Sequence, residues 1–532
     1  MDRYAQEIRE RLDRESKYRN NLFCRGYLIT DAKLDSIESY PFYGGWREVS
    51  AGEYTAYVHP EATAYSRVKN GRNALLIGHA YDPVTGDINE EKILDRILDA
   101  EGKEEVCSII DSLTGIFVFL LFEGKSFSAV QDCSGQKMMY FGKAGDRVVL
   151  TSIPQLAGDI FDLHWNSDVE RLVRTKGYFR GSGFLPGNLS PYSELTRLGA
   201  NTELSFDGKV FKIRRIYPLK PRTECKTEEE KTQTIEEMYG LFSGSIALAV
   251  KKWKRAGLSL TGGMDSKTTF ACAKEAYGDI FVYSFSSKPS EKLDADAAKL
   301  ICESIGVKHH LYVIPEEPTE IEDYDFLRSV IEHNTSHICK LHPNEIRKYV
   351  YLRDRNDFDV EIKSDVSEIG RAYTSRKYYK VKMPRVLAPR HFTIGQGRYF
   401  FEPWAVKFAD RQYAAFMNET GLTDDILGYS MHDLGYWEVR TSAWAATSLA
   451  SQEYFHEITV PYNNRKLMDL FLRFPVEDRL NDIPHKMLMR RGNPAAADLE
   501  YSVKDSYFGK KRMLLETVYY YYATRMNTLG KK

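Results

Sequence analysis

A strand, two glycines and the start of a helix follow one another in Leu258-Ser259-Leu260-Thr261-Gly262-Gly263-Met264-Asp265-Ser266-Lys267. Glycines allow backbone N–H groups to approach phosphate oxygens, and the N-terminus of the following helix favours negative charge. The hydroxyl groups of Thr261 and Ser266 can donate hydrogen bonds to phosphate, and Asp265 can hold Mg²⁺ against it. The segment therefore predicts a phosphate-binding loop between a buried strand and a helix.

This loop lacks the G-x-x-x-x-G-K-[ST] pattern of the P-loop nucleotide-binding proteins. It has the shorter S-G-G-x-D-S form of a pyrophosphate loop, with Thr261 in place of the first serine, so that the hydroxyl group is kept. A pair of glycines alone is more often an ordinary turn. The complete order of strand, hydroxyl, Gly-Gly, Asp-Ser and helix favours nucleotide binding instead.

Strands and helices alternate around the loop. The predicted elements are a long helix from Thr227, strands 257–260, 281–285 and 310–314, and helices 268–276 and 294–305. Such alternation predicts a parallel sheet with its ligand at the carboxyl ends of the strands. Residues from about 320 to 525 are predicted to be mostly helical.

The first half of the chain has a different pattern. Short apolar or alternating runs separated by Gly, Asp and Asn turns predict a sandwich or layered antiparallel sheet. Its predicted strands are 22–30, 54–59, 74–79, 115–121, 126–131, 138–142, 148–152, 202–206 and 209–214, with one helix at 90–100. The last two strands flank Asp207-Gly208, a hairpin signal, and residues 217–221 are predicted to link the two halves.

Composition limits the class of protein. The 532 residues carry 74 Lys+Arg against 75 Asp+Glu, a net charge of −1, so we expect no bulk nucleic-acid partner. No apolar run approaches the length of a membrane span, and the charged start of the chain is unlike a signal peptide. The seven cysteines are scattered and form no C-x-x-C pair, which indicates a reducing compartment. We therefore expect a cytoplasmic protein of two to four domains without a membrane partner.

The loop and its surroundings resemble the asparagine synthetase family, which includes the β-lactam and carbapenam synthetases and the lasso-peptide cyclases. Matching segments follow in the family's order from about residue 225 to 515. They are the adenine-contacting strand at 282–285, the "D-E…L-G-T-x-H-H" stretch at 294–310, a degraded "S-G-[DE]-G-x-D-E-x-F-G-G-Y" at 362–373, the "V-P-F-L-D" helix start at 459–469, and the catalytic lysine loop at 502–509. The resemblance implies an adenine nucleotide α-hydrolase-like PP-loop domain with a helical C-terminal part.

The family chemistry begins with attack of a carboxylate on the α-phosphate of ATP, which gives an acyl-adenylate and pyrophosphate; an amine then displaces AMP. The resemblance implies that Asp265 and Asp365 bind Mg²⁺. It implies that nucleotide is bound by Leu260, Thr261, Gly262, Gly263, Asp265, Ser266, Ser284 and Phe285, and that Lys504, Glu368 and Lys486 are catalytic. Outside the motif, Asp365 could be a helix cap and the two lysines ordinary surface or structural residues. Glu368 is the weakest of the set, because its motif has lost glycines.

The first half resembles the glutaminase domain of the same family, a sandwich of the N-terminal nucleophile type with αββα layers. Its matches are "G-x-F-A-F" at 115–119, "R-D-x-x-G-x-K-P-L-Y-Y" at 131–140, "F-A-S" at 150–152, and the segments 187–190 and 198–201 that lead to the linker. The implied organisation is a charged helical extension at 1–22, a degenerate glutaminase-like domain at 23–218, and an ATP-binding ligase domain at 219–532.

The glutaminase chemistry itself is missing from this half. Such an enzyme needs a cysteine at its mature N-terminus, where its own α-amino group acts as base. Here Cys24 follows a highly charged segment of about twenty extra residues, and only removal of 23 residues would expose it. Ile77 stands where the family's oxyanion-hole asparagine is expected, and no R-G-P-D segment is present. We therefore expect Cys24 to be a buried strand residue and glutamine hydrolysis to be lost.

The sequence predicts a glutamine-independent ligase that releases AMP and pyrophosphate, with ATP and Mg²⁺ as cofactors. Its substrates would be a small-molecule carboxylate and an amine, in one molecule or two, with free ammonia as a variant. A lasso-type macrolactam cyclase acting on a precursor peptide is the alternative enzyme. A homodimer is the oligomeric state that we expect if the chain associates. A catalytically inactive scaffold is suggested by the eroded segment 364–370, although the intact loop argues against it.

Overall fold

A computed structural model describes residues 3–34, 36–180, 183–339, 343–353, 355, 357–377, 389–396, 402–423, 425–499, 514 and 518. Before residue 216, the described residues form two antiparallel sheets of six strands each. The strands are β1 Tyr27–Thr30, β2 Arg47–Ala51, β3 Tyr54–Val58, β4 Ala64–Lys69, β5 Arg72–Tyr81, β6 Thr114–Glu123, β7 Ser126–Gln131, β8 Tyr140–Ala144, β9 Arg147–Thr151, β10 Leu195–Arg197, β11 Thr202–Phe206 and β12 Phe211–Arg215. Their orders are β10-β8-β9-β1-β3-β2 and β12-β11-β7-β6-β5-β4.

The two sheets pack face to face between layers of helices. Ile29 of the first sheet and Val118 of the second share one buried apolar cluster. The outer face of the second sheet packs against Ile93 of α2, and the outer face of the first packs against Leu156 of α4. The helices of this half are α1 Arg3–Arg14, α2 Glu90–Asp99, α3 Lys103–Ser112, α4 Pro154–Phe161, α5 Ser167–Val173 and α6 Lys176–Arg180. The layered antiparallel architecture is thus confirmed.

Strands β5 and β6 approach each other closely at two glycines. Gly78 has φ +104°, and a Cβ there would lie 2.1 Å from the carbonyl oxygen of Ile116. Gly115 has φ +148°, and its Cβ would lie 2.1 Å from the carbonyl oxygen of His79. Only glycine can occupy both positions without moving the strands apart.

After residue 227 the architecture changes to α/β, as predicted. Five parallel strands form a sheet in the order β15-β14-β13-β16-β19. The strands are β13 Ala256–Ser259, β14 Ile280–Ser286, β15 His309–Val313, β16 Val360–Ile362 and β19 Glu457–Thr459, with a separate pair β17 Asp425–Ile426 and β18 Tyr429–Ser430. The parallel sheet places the carboxyl ends of β13, β14 and β16 at one edge, where the loop 260–266 also lies.

Helices make up most of the remaining described residues, which confirms the mostly helical C-terminal part. They are α7 Glu228–Lys252, α8 Met264–Cys272, α9 Pro289–Ile305, α10 Tyr324–Asn334, α11 Pro343–Arg353, α12 Tyr373–Lys377, α13 Pro389–Gln396, α14 Pro403–Thr420, α15 Met431–Gly435, α16 Ala446–Gln452, α17 Arg465–Arg473, α18 Val476–Leu480, α19 Ile483–Gly492 and α20 Pro494–Ala497, with a π-helical stretch Tyr436–Ala445. Thr227 caps α7 in a capping box with Glu230. Among the described helices, none combines the length and the apolar composition that crossing a bilayer requires.

The predicted strand 22–30 is wrong over its first half. Residues Ser16–Asn21 form a 3₁₀ turn, and β1 begins only at Tyr27. Phe23 and Arg25 have φ +51° and +54°, and this left-handed backbone is incompatible with an extended strand. Cys24 is therefore buried, as predicted, but in a turn. Helix α8 also begins earlier than predicted, at Met264, because Gly263 is its N-cap.

The segment that follows β12 is fixed to the helical part rather than loose. The Tyr217 hydroxyl donates to Asp469 Oδ1 at 2.9 Å, and the Arg222 backbone N–H donates to the Leu427 carbonyl at 2.8 Å. One apolar cluster contains side chains from both halves of the chain, among them Tyr81, Ile116, Phe242 and Leu467. The two halves thus share part of their core.

The fully buried side chain of Asn463 connects the two halves through several hydrogen bonds. Its Oδ1 accepts from the Ser134 backbone N–H at 3.0 Å and from the Ser134 hydroxyl at 2.7 Å. Its Nδ2 donates to the Gly115 carbonyl at 2.7 Å and to Asp132 Oδ1 at 2.9 Å. Both donors and both lone pairs of the amide are therefore used. Beside it, Asn464 Nδ2 donates to Thr114 Oγ1 at 3.0 Å.

The charged extension at the start of the chain is helical, as predicted, and it packs against the helical part. Leu12 of α1 shares an apolar cluster with Phe326 and Leu327 of α10. Arg11 Nη2 lies 3.0 Å from Asp323 Oδ1. The extension therefore connects the two halves on the side of the molecule formed by α10.

Candidate active site

The glycine loop lies at the carboxyl edge of the parallel sheet, between β13 and α8. The Leu260 backbone N–H donates to the Tyr283 carbonyl at 2.8 Å. The buried Ser284 hydroxyl donates to the Leu260 carbonyl at 2.6 Å and lies 2.8 Å from His309 Nε2. These contacts fix the start of the loop to β14 and to the neighbouring β15.

Two hydroxyl groups hold the loop closed. Thr261 Oγ1 and Ser266 Oγ lie 2.9 Å apart, and Ser266 Oγ also accepts from the Thr261 backbone N–H at 3.1 Å. Thr261 Oγ1 accepts from the Gly263 backbone N–H at 3.1 Å. The hydroxyl kept at position 261 thus shapes the loop, as a serine would.

Asp265, in the first turn of α8, has both carboxylate oxygens engaged. Oδ1 accepts from the Ser367 hydroxyl, and Oδ2 accepts from Arg371 Nη1 at 2.7 Å. His485 Nε2 lies 3.9 Å from Oδ1. His485 is fully buried with no hydrogen-bond partner for either ring nitrogen among the described residues, and burial lowers its pKa to about 4. Its imidazole is therefore neutral at physiological pH.

Arg371 joins Asp265 to a second carboxylate, that of Asp482 at the start of α19. Arg371 Nε donates to Asp482 Oδ1 at 2.8 Å and Nη2 approaches Oδ2 at 3.3 Å. Arg376 also donates to Asp482, with Nη1 3.2 Å from Oδ2. Burial alone would raise the pKa of Asp482, but the two guanidinium groups lower it to about 2. Asp482 is thus a permanent anion that holds two arginines.

Three carboxyl groups gather beside the loop: those of Asp265, Asp365 and Glu368. Burial raises the pKa of Asp365, and Lys363 opposes this effect. Burial and the negative charges of Asp265 and Asp365 raise the pKa of Glu368 to about 8. Glu368 is therefore protonated at neutral pH and can release its proton close to that pH.

A second buried network lies under the carboxyl end of β16. Glu361 Oε2 lies 2.7 Å from His456 Nε2, and Glu361 Oε1 lies 3.5 Å from Lys363 Nζ. Burial alone would lower the pKa of Lys363, but the carboxylates of Glu361, Asp365 and Glu345 raise it. A buried ammonium group thus stands one residue before Ser364, at the edge that carries the loop.

The structure brings together most of the site residues predicted from sequence. Residues 260–266, Ser284, Asp365 and Glu368 lie at one edge of the sheet. Phe285 is the penultimate residue of β14, and Lys348 Nζ lies 4.1 Å from the centroid of its ring. Lys486 lies on α19 with its side chain exposed, whereas the neighbouring His485 faces the loop. Lys504 lies outside the described residues.

Sequence reasoning missed Arg371, Asp482 and His485. A signal for the first was present in the sequence: counted back from Tyr373, Arg371 and Ser367 hold positions where the family pattern has Gly and Asp. A charged side chain in place of a glycine indicates that the surroundings of this position differ from those in the family. Asp482 and His485 left no such signal, because only the tertiary structure brings them to the loop.

Magnesium would require open oxygen ligands, which it prefers in octahedral geometry. Both oxygens of Asp265 are engaged in the structure. Over the part of the chain that the structure describes, no group of three or more His, Cys, Asp or Glu side chains is arranged to hold a metal ion. Binding of a metal by Asp265 and Asp365 stays a prediction.

The first half places Cys24 in a closed environment. Its Sγ lies 3.6 Å from Glu61 Oε2 and 3.9 Å from the Glu453 carbonyl oxygen. Burial raises the pKa of the Cys24 thiol well above its usual range. Ile77 is fully buried between the two sheets, in the same cluster as Ile29. The Cys24 thiol is therefore held in its protonated form, and the side chain at position 77 is apolar and buried.

Residues 237–338 match the asparagine synthase family model, and this segment contains the whole glycine loop. The predicted resemblance to the asparagine synthetases is thereby confirmed. A protein of Methanocaldococcus jannaschii named "putative asparagine synthetase 2 (glutamine-hydrolyzing)" is 23% identical over 223 residues, which are 41% of this chain and 43% of that protein. The match thus spans less than half the length of this curated relative.

A 7-cyano-7-deazaguanine synthase of Clostridium botulinum is 36% identical over 58 residues, 11% of this chain and 26% of that protein. Among solved structures, a B. subtilis glutamine phosphoribosylpyrophosphate amidotransferase complexed with ADP and GMP is 12% identical, with a TM-score of 0.22 over 54% of this chain and 59% of that one. An allosteric regulatory enzyme of purine biosynthesis is 11% identical, with a TM-score of 0.24 over 61% of this chain and 89% of that one. Similarity at this level does not establish a shared fold.

Proposed function

We propose that this chain is an ATP-dependent ligase that forms amide bonds. The observation that carries the proposal is the loop 260–266, closed by the Thr261–Ser266 hydroxyl pair at the carboxyl edge of a parallel sheet. That edge is where α/β proteins bind their ligands. The asparagine synthase match over residues 237–338 supports the same assignment.

The proposed reaction has two steps. A substrate carboxylate oxygen attacks the α-phosphorus of ATP, the bond to the β-phosphate oxygen breaks, and pyrophosphate leaves. An amine then attacks the acyl carbonyl and AMP leaves with the bonding electron pair. In this proposal the loop is a PP-loop that binds the pyrophosphate, Ser284 and Phe285 lie beside the adenine, and Lys504 and Lys486 neutralise developing negative charge.

Glu368 is proposed as the acid–base group of the second step. An attacking amine must lose a proton as the amide forms, and a base is most effective when its pKa lies near the working pH. Burial beside Asp265 and Asp365 raises the pKa of Glu368 to about 8. Glu368 can therefore exchange a proton with the amine at neutral pH, which an ordinary glutamate could not do as well.

We also propose that the first half is a glutaminase-like αββα domain of the N-terminal nucleophile type that does not hydrolyse glutamine. The raised pKa of Cys24, its closed turn and the buried Ile77 support this. The amine would come from the substrate itself, from a second small molecule, from free ammonia, or from a precursor peptide if the enzyme is a lasso-type cyclase. Mg²⁺ would accompany ATP, and a cytoplasmic location and a homodimer belong to the same proposal.

The direct test is binding of ATP with Mg²⁺ to the full chain by isothermal titration calorimetry. We expect the wild-type protein to bind, and Asp265→Ala to weaken binding at least 10-fold because it removes the carboxylate that fixes the loop's surroundings. Asp279→Ala is the matched control, since Asp279 is exposed and remote from the loop, and we expect it to bind as the wild type does. Absence of binding by the wild type would contradict the proposal and favour a scaffold.

Two activity measurements complete the test. Exchange of labelled pyrophosphate into ATP, screened over amino acids and their N-acyl derivatives, would identify the carboxylate and should disappear in Asp265→Ala. Glutamate release from glutamine should stay at the background of the Cys24→Ser variant. Release above that background would contradict the proposed loss of glutaminase chemistry.

A further inference from the structure

Arg371 makes contacts that leave part of its guanidinium group available. It donates from Nη1 to Asp265 Oδ2 at 2.7 Å, and from Nε and Nη2 to Asp482 at 2.8 and 3.3 Å. A guanidinium has five N–H bonds. Two of them, one on Nη1 and one on Nη2, have no partner among the described residues. The guanidinium fork therefore keeps two N–H bonds, each able to donate to a phosphate oxygen.

The position of this fork is fixed from two sides. Asp265 belongs to the first turn of α8, directly after the glycines of the loop, and Asp482 precedes α19, which packs against α8. Arg371 is mostly buried, with 16% of its side chain exposed. A guanidinium held by two carboxylates is pre-organised, so little conformational entropy would be lost when it binds an anion.

The charge around the loop calls for a cation. The Asp265 carboxylate lies there, and a pyrophosphate group would add further negative charge to the same place. Among the described side chains that donate to the Asp265 carboxylate, Arg371 supplies a guanidinium cation at 2.7 Å, whereas Ser367 supplies a neutral hydroxyl group.

We propose that Arg371 binds the pyrophosphate part of the nucleotide directly, and that Asp265 and Asp482 position it for this contact. The inference rests on the proposed function, because it assigns a residue to the phosphates of the same nucleotide. In this arrangement Asp265 orients the guanidinium group of Arg371 instead of binding a metal ion. Pyrophosphate recognition should then persist without a divalent ion.

The test is calorimetric titration of the full chain with inorganic pyrophosphate and with ATP, each in EDTA and in MgCl₂. We expect the wild-type protein to bind pyrophosphate in EDTA, and Arg371→Met to weaken binding about 10- to 100-fold in both buffers, as expected for loss of hydrogen bonds to a charged group. Arg371→Lys keeps the charge without the fork, so we expect an intermediate affinity and an intact fold. Thermal unfolding of each variant verifies folding.

Arg490→Met is the matched control, because Arg490 lies on α19 but is exposed and pairs at the surface with Asp498 at 2.9 Å. We expect its pyrophosphate affinity to stay within 3-fold of the wild type. Pyrophosphate binding that requires Mg²⁺, or that is equally strong in folded Arg371→Met or Arg371→Lys, would overturn the inference while the proposed function stands. A wild-type protein that binds neither ATP nor pyrophosphate would overturn both.

Discussion

Removal of the Asn463 side chain should loosen the junction between the two halves. Asn463→Ala deletes four hydrogen bonds, to the Ser134 N–H, the Ser134 hydroxyl, the Gly115 carbonyl and Asp132. The Ser134 N–H keeps Asp132 as a second acceptor at 3.2 Å, and Asp132 keeps other donors. For the Gly115 carbonyl and the Ser134 hydroxyl, the loss of the hydrogen bond costs more than it does for these two groups. At about 0.5–1.5 kcal/mol for each of the two compensated bonds and about 1–3 kcal/mol for each of the other two groups, the loss is at least about 3 kcal/mol.

Hydrogen exchange followed by mass spectrometry measures this loss locally, which suits a chain of this size because its unfolding need not be two-state. A fall of about 3 kcal/mol in the free energy of opening should accelerate exchange about 100-fold in peptides covering 113–119 and 131–137. Asn463→Asp should have a larger effect, because it places a carboxylate oxygen where Nδ2 now lies 2.9 Å from Asp132 Oδ1.

Asn418→Ala is the matched control, since Asn418 lies exposed on α14, and exchange in the same peptides should not change. The reasoning is refuted if a folded Asn463→Ala protein exchanges these peptides within 3-fold of the wild type. That result would mean that the junction is held by its apolar contacts alone.

Two further predictions concern the first half. Burial and the nearby Arg25 lower the pKa of His59 to about 3, so between pH 6.5 and 3 the unfolded chain binds a proton that the folded chain does not. The free energy of unfolding is therefore highest above pH 6.5 and falls by about 2 kcal/mol from pH 7 to pH 5. Urea unfolding at both pH values should show a correspondingly smaller fall in the His59→Asn variant. An equal fall in the variant would contradict this prediction. Gly78→Ala should cost about 2–4 kcal/mol, because its Cβ would meet the Ile116 carbonyl oxygen at 2.1 Å. Gly240→Ala, with open space on α7, should instead stabilise by about 0.5–1 kcal/mol, and thermal unfolding that shows equal effects would contradict both.

The sequence predicted those parts of the fold whose causes are local. The order of strand, glycines and helix around residue 260 depends on neighbouring residues, and the Thr261–Ser266 contact joins residues five positions apart. Strands β13 and β14 and the long helix after Thr227 have strong apolar patterns, and all three were found. The parallel strands β16 and β19 were missed, because each is only three residues long. Strands β2 and β4 were missed, because their mostly half-buried or exposed residues lack such a pattern.

The environment of the site could not be predicted in the same way. Arg371 contacts Asp265 from 106 positions away and Asp482 from 111, and local periodicity contains no information about such pairs. On α19 the motif drew attention to Lys486, whereas packing turned His485 inward. The strand assigned to Cys24 failed because two flanking residues adopt a left-handed backbone that their side chains do not reveal.

The contact between Asn464 and Thr114 joins residues 350 positions apart. During synthesis, β6 therefore leaves the ribosome long before the segment that covers its end exists. At about 5–20 residues per second, this interval lasts about 20 to 70 s. The part of the apolar cluster around Tyr81 and Ile116 that is formed by α17, including Leu467 and Phe471, is missing for that time, so this cluster is completed only after α17 has been synthesised. A nascent chain stalled before residue 460 should consequently be a strong ligand for chaperones that recognise exposed apolar surface.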